Sequence, residues 1–360
     1  MSKPALKAKL LRSGLDVLHG AGVYHALGRH WSGLGIIFML HHIRPATPDG
    51  DSVDRDFHPN GILEITPEFL DAAIARVRDH GIQLVSLGEA VARIRSGADD
   101  GRRFAAFTID DGYGDNYKHA WPVFRRNDCP FTIFVTTGIA DGTAELWWLA
   151  LERVIAANDT VRTDFDRGSR IWTTKSASEK CAAFEAIYWP LRRMNEVAQR
   201  EWIWAFCAAH DFDLAALCRR ERLSWWQIRE MITDELVTVG AHTINHFALA
   251  KLDREQALAE LIGSKQRIAR KTGAEPEFFC YPYGDPLSAG AREFELTREA
   301  GFTAALTTRK GLIYSEHADH LMALPRVSLN GNFQELKYID LFLSGAPFAI
   351  WNRFRRVHAI

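Results

Sequence analysis

The hydrophobic positions of the chain alternate between two rhythms. Gly35 to Leu40 is a short unbroken apolar run, GIIFML, as expected of a strand buried on both faces. Thr66 then offers a helix N-cap with Pro67 at the first helical position, and Leu70, Ala73, Ile74 and Val77 recur on one helical face until Gly81 closes it. A strand-like IQLVSL, a short helix from about Glu89 to Arg95, the strand FAAFTI from Phe104 to Ile109, a helix ending near Asn127 and the strand FTIFVT come next. Strands that alternate with helices at this spacing pair in parallel, because each crossover needs a helix to bring the chain back.

The alternation stops at Gly138 and resumes with ELVTVGAH at Glu235. After it come a helix from about Arg254 to Lys271, a strand in PEFFCYPYG, a helix from Arg292 to Ala300, the strand FTAALTT and a last strand around LPRVSL. Between the two halves, residues 142–230 lack β-branched runs and hold eight of the eleven tryptophans, which reads as a mostly helical insertion. The organisation expected is one α/β barrel-like domain, residues 34–141 and 231–330, interrupted by the insertion at 142–230. A helical extension (1–33) precedes it and a tail (331–360) ends the chain.

Composition narrows the partners more than the fold. The chain of 360 residues is 47% hydrophobic with a net charge of −1, so it is globular and lacks the basic footprint of a nucleic-acid binder. Its five cysteines are odd in number and form no CxxC, which fits a reducing compartment. Arg12, Asp16 and His19 interrupt the run a secretory signal would need, and the longest apolar stretch, Leu34 to Leu40, is far too short to span a membrane. The expectation is a soluble, cytoplasmic protein without an integral membrane segment. Residues 3–18 are compatible with a basic amphipathic helix that touches a membrane surface and with an ordinary solvated one.

Three motifs each come directly after a strand, at the rim where barrel enzymes build their sites. The first is TIDDG, Thr108 to Gly112, with the adjacent carboxylates of Asp110 and Asp111; a plain DDG turn has the same residues. GAHTINH carries His242 and His246, four apart, which meet on one face if the backbone is helical and, with a carboxylate, make a normal ligand set for zinc or a similar ion. Thr243 stands where HExxH has its glutamate, so that protease chemistry is absent. The third, CYPYGDP, is either a turn or a rigid frame that aims the Tyr283 backbone N–H at a reacting oxygen.

In this order the three motifs resemble the polysaccharide deacetylase family, the NodB-homology carbohydrate esterases, over residues of about 34–140 and 231–330. The resemblance implies a distorted (β/α) barrel holding one divalent metal, usually zinc. It assigns Asp110 as general base, and Asp111, His242 and His246 as metal ligands. Two features depart from the common pattern. Cys280 occupies the arginine position of RxPYG, so FCYPYG looks like the subset resembling poly-N-acetylglucosamine deacetylases, and Arg326 in LPRVSL is either the missing guanidinium or a surface residue. The late Leu-x-His motif is not evident, although His317 and His320 lie near its place; FMLHH matches the subset's N-terminal acid strand and puts His41 in the acid's position. Strand alternation should turn His42 the other way.

The activity implied is metal-dependent hydrolysis of N-acetyl groups on an amino-sugar oligo- or polysaccharide. The alternatives are an O-acetyl esterase or non-sugar amidase on the same site, and a carbohydrate-binding protein without catalysis. The insertion's tryptophans suit either sugar stacking or a helical core.

Overall fold

The apolar runs close into a ring of seven parallel strands. The computed structural model describes residues 3–46, 57–97, 101–165 and 168–357, with side chains from residue 9 on, so the first side chains of the expected basic helix lie outside the described residues. The ring is β1 (Gly35–Leu40), β2 (Phe104–Ile109), β3 (Phe131–Val135), β4 (Val237–Ala241), β5 (Phe278–Cys280), β6 (Ala304–Lys310) and β7 (Leu324–Ser328). Each strand pairs with its neighbour in sequence, and β1 pairs with both β7 and β2, which closes the barrel. The β1–β2 register runs from Gly35 opposite Phe104 to Leu40 opposite Ile109. Residues of β1, β2 and β3 are buried throughout, as strands walled by helices outside and side chains inside must be.

The expected IQLVSL strand shrinks to Gln83–Leu84, which pairs with the start of β2 on the edge that β3 uses further along. A full-length strand there would compete with β3 for the same hydrogen bonds.

Six helices bear on the site and on the surface around the chain's two ends. The first, α1 (Lys3–Gly20), lies outside the ring, and α2 (Pro67–Asp79) begins where expected, with the Thr66 hydroxyl accepting from Phe69 N–H at 3.1 Å. The insertion contributes α3 (Trp147–Ala157) among other helices, and also an antiparallel hairpin, Thr160–Phe165 with Gly168–Thr173, that the mostly helical reading did not contain. Then come α4 (Arg254–Thr272), α5 (Leu336–Ser344) and α6 (Ala346–Trp351). Far from a bare tail, the C-terminal residues bury Tyr338, Ile339, Leu341 and Leu343 of α5 in the main core. Among the described residues no helix is long and apolar enough to cross a membrane.

The insertion is fastened to the barrel by a charged bridge. His58 sits between Glu152 of α3 (2.8 Å) and Glu64 (2.9 Å), and these two bonds push its pKa up to about 9. Asn60 adds backbone and side-chain donors to the second oxygen of Glu152. The helix carrying Trp147 and Trp148 is therefore held in place at its middle.

Candidate active site

At the end of β2 the chain must turn two neighbouring carboxylates toward one cavity. Asp111 (φ 75°) and Gly112 (φ 85°) are both left-handed, and this reversal cancels the strand alternation that would send Asp110 and Asp111 to opposite faces. Asp111 is one of eight non-glycine residues with positive φ among the described residues, and Thr243, His246 and Tyr283 are three others. Half of these eight residues thus fall on the motifs singled out in sequence, where costs of about 1–3 kcal/mol per residue are tolerated only if the surroundings enforce them.

Asp110 faces inward to Arg326. The guanidinium donates from Nη1 to Oδ1 (2.8 Å) and from Nη2 to Oδ2 (2.6 Å), and its remaining donors reach Thr108 Oγ1, Cys280 Sγ and the Thr307 carbonyl. Arg326 is fully buried, not a surface residue, and all of this comes from β7, the far side of the seam from β2. Burial raises the Asp110 carboxyl, but the guanidinium outweighs it and holds the pKa below the usual range. Cys280 leaves room for that reach, and burial pushes its thiol up, so it stands there neutral.

Asp111 faces the histidines. His242 Nε2 lies 3.2 Å and His246 Nε2 3.1 Å from Asp111 Oδ1. His242 and His246 do not share a helix face; the segment is a loop, and left-handed Thr243 and His246 bring the rings to 5.0 Å. His242 Nδ1 lies 2.6 Å from the Cys280 carbonyl, which fixes the ring with Nε2 turned to Asp111. Burial raises Asp111, yet the two imidazoles prevail and keep its carboxyl well below the ordinary range.

Among the described residues, two groups of side chains are close enough to hold one cation: Asp111, His242 and His246, and Asp110, His242 and Cys280. The second has the Arg326 guanidinium within 2.9 Å of two of its three members, so a cation there would be repelled. The first presents two imidazole nitrogens and a carboxylate oxygen at about the spacing of neighbouring ligands around zinc. This donor set fits a divalent metal.

His41 and His42 face different groups. The His41 imidazole is near enough to Asp110, Asp111 and Arg326 for all three charges to act on it, although burial dominates and lowers its pKa. His42 turns away to Asp115 Oδ2 (2.6 Å) and stacks on Tyr113 at 3.6 Å. His317 and His320 precede β7, just after Ile313 bridges Gly35 at the start of β1, so they belong to the opposite rim. Tyr283 meets His246 edge to face at 4.8 Å, with its backbone held by Thr308 Oγ1 donating to its carbonyl. Gly284 cannot be replaced there, since a Cβ would stand 2.6 Å from the Thr308 nitrogen.

Sequence reasoning missed the roof of the site. Trp148 of α3 packs on the His246 ring at 4.9 Å and donates from Nε1 to the Tyr113 hydroxyl, which itself meets the Asp111 carboxylate. Trp147 Nε1 donates to the Tyr283 hydroxyl at 2.9 Å. These two tryptophans are buried over the site, whereas Trp189, Trp204 and Trp226 of the same insertion are exposed. No spacing in the sequence could single out the pair, because their partners come from three other strand ends.

The strand ends of a closed parallel barrel thus deliver a carboxylate–arginine pair beside an Asp/His/His cluster. Residues 97–305, more than half of the chain, match the family model described as polysaccharide deacetylase, and the chain belongs to that family. It is an enzyme of the expected deacetylase class. No curated protein matches the sequence.

Among solved structures, the chain is similar to the Streptococcus pyogenes deacetylase PplD in complex with acetate, at 16% identity and a TM-score of 0.55 over 85% of this chain and 97% of that one. IcaB from Ammonifex degensii gives 16% and 0.54 over 87% and 98%. A de-N-acetylase from Aggregatibacter actinomycetemcomitans gives 12% and 0.54 over 85% and 99%. These likenesses are of fold, and they bear out the distorted (β/α) barrel.

Proposed function

We propose that the chain hydrolyses N-acetyl groups of an amino-sugar oligo- or polysaccharide with one divalent ion, zinc by its donor set, held by Asp111, His242 and His246. The observation that carries this reading is the convergence of that cluster with the Asp110–Arg326 pair at one strand-end rim. Bound there, the metal supplies Lewis-acid polarisation and makes a water acidic enough to deprotonate near neutral pH. Asp110, kept ionised by Arg326, takes the proton as water adds to the acetyl carbon. The Tyr283 backbone N–H donates to the developing oxyanion. His41 gives its proton to the nitrogen as the C–N bond breaks, leaving free amine and acetate; burial makes its charged form a stronger acid. Asp110, Asp111, His242 and His246 are all buried, with Trp148 packed on His246 and Tyr113 against Asp111. The FCYPYG segment and the strand carrying His41 are what favour the poly-N-acetylglucosamine-like subset.

The test is acetate and amine release from matched N-acetylated and O-acetylated oligosaccharides. Equal acetate and amine from the N-acetylated set is expected. Acetate from the O-acetylated set alone would make the chain an esterase, and none from either would leave a binding protein. On the N-acetylated substrate His41→Ala should lower kcat by about 10² and His42→Ala far less; the reverse order would remove His41 from the acid role.

A further inference from the structure

Helix α1 is apolar over more of its surface than the core covers. Leu11, Leu15 and Leu18 pack against the core and, together with Leu10, Gly14 and Val17 and with Ala21 just past the helix end, line an open groove of about 460 Å³. The opposite wall of that groove is Ile350 and Trp351 at the end of α6. Exposed apolar side chains are common singly, but here Val17 (71% exposed), Leu10 (65%), Trp351 (53%) and Ile350 (51%) share one concavity.

The rim decides what kind of surface fits. Lys310 lines the groove with its ammonium 4.3 Å from the Trp351 ring, and Arg353 and Arg355 continue the same surface beyond Trp351. Among the described residues, no aspartate or glutamate lines either part. The chain from Leu341 to Ile360 contains no acidic residue at all. A second copy seated by two-fold symmetry would set these cations against their own images, which disfavours self-association. Apolar side chains and a tryptophan ringed by Lys and Arg are instead the composition of a surface that lies in the headgroup layer of a bilayer.

We propose that the α1–α6 groove is a membrane-docking surface that seats the protein peripherally on an anionic lipid bilayer. This is independent of the chemistry assigned to the barrel. The test is co-sedimentation of the full chain with vesicles of phosphatidylcholine and phosphatidylglycerol at about 3:1, against phosphatidylcholine alone. Binding to the anionic vesicles, weakened by salt, is expected. Val17→Asp/Ile350→Asp, at exposed positions, should cut it by about tenfold or more with an unchanged melting temperature. The triple change of Lys310, Arg353 and Arg355 to Gln should cut it by about a hundredfold, on about 1 kcal/mol per cation, and keeps the test decisive should the first variant fail to fold. Absence of vesicle binding, or equal binding by wild type and variants, overturns the proposal. So does a concentration-dependent dimer in light scattering that Val17→Asp/Ile350→Asp abolishes, since a second copy would then fill the groove.

Discussion

Asp110→Asn is expected to lower kcat by about 10² or more while metal content stays at the wild-type level. An amide cannot take the proton that the carboxylate takes, and Asp110 points to Arg326 while Asp111 points to the histidines. The two functions sit on neighbouring residues, yet the left-handed turn at Asp111 and Gly112 separates them. The asparagine also presents N–H to an arginine N–H that formerly donated to oxygen, so kinetics belong at a temperature where the variant is fully folded. Near-normal activity would remove Asp110 from the base role. Loss of metal would instead point to the Asp110, His242, Cys280 group as the true ligand set.

The largest loss of stability is expected for Arg326→Met, about 3–5 kcal/mol by urea denaturation. Removing the guanidinium strands a carboxylate that is 2% exposed and takes away two charge-assisted bonds. Arg326→Met combined with Asp110→Asn should cost less than the sum of the two, because neither variant then leaves a buried charge alone. A loss below about 1 kcal/mol in the single variant would mean that water reaches this pair freely.

What the sequence made legible came from periodicity. The runs Gly35–Leu40 and Phe104–Ile109 became strands with those boundaries, and the Thr66-Pro67 start set the first residue of α2, because each rests on local burial or capping. The motifs placed Asp111, His242 and His246 together, but the structure joins the histidines through left-handed backbone where a helix had been one way to do it. The short strand at Gln83 was over-read, since β3 takes the hydrogen bonds that the pattern alone would have assigned to it. Arg326 was ambiguous by its neighbours in the chain and becomes clear only when β7 closes against β1 and lays its side chain across the barrel. Trp147, Trp148 and Tyr113 were illegible for the same reason: their roles depend on which strand ends the insertion folds over.

The most direct test of a metal-assisted hydrolase is the metal content of the purified, desalted chain set beside its activity. One divalent ion per chain is expected in the wild type and none tightly held in His242→Ala, whose circular dichroism should remain that of the wild type. Chelation should abolish acetate release from an N-acetylated oligosaccharide, and zinc should restore it in the wild type but not in the variant. A chain that carries no divalent ion and releases acetate undiminished after chelation would contradict the account.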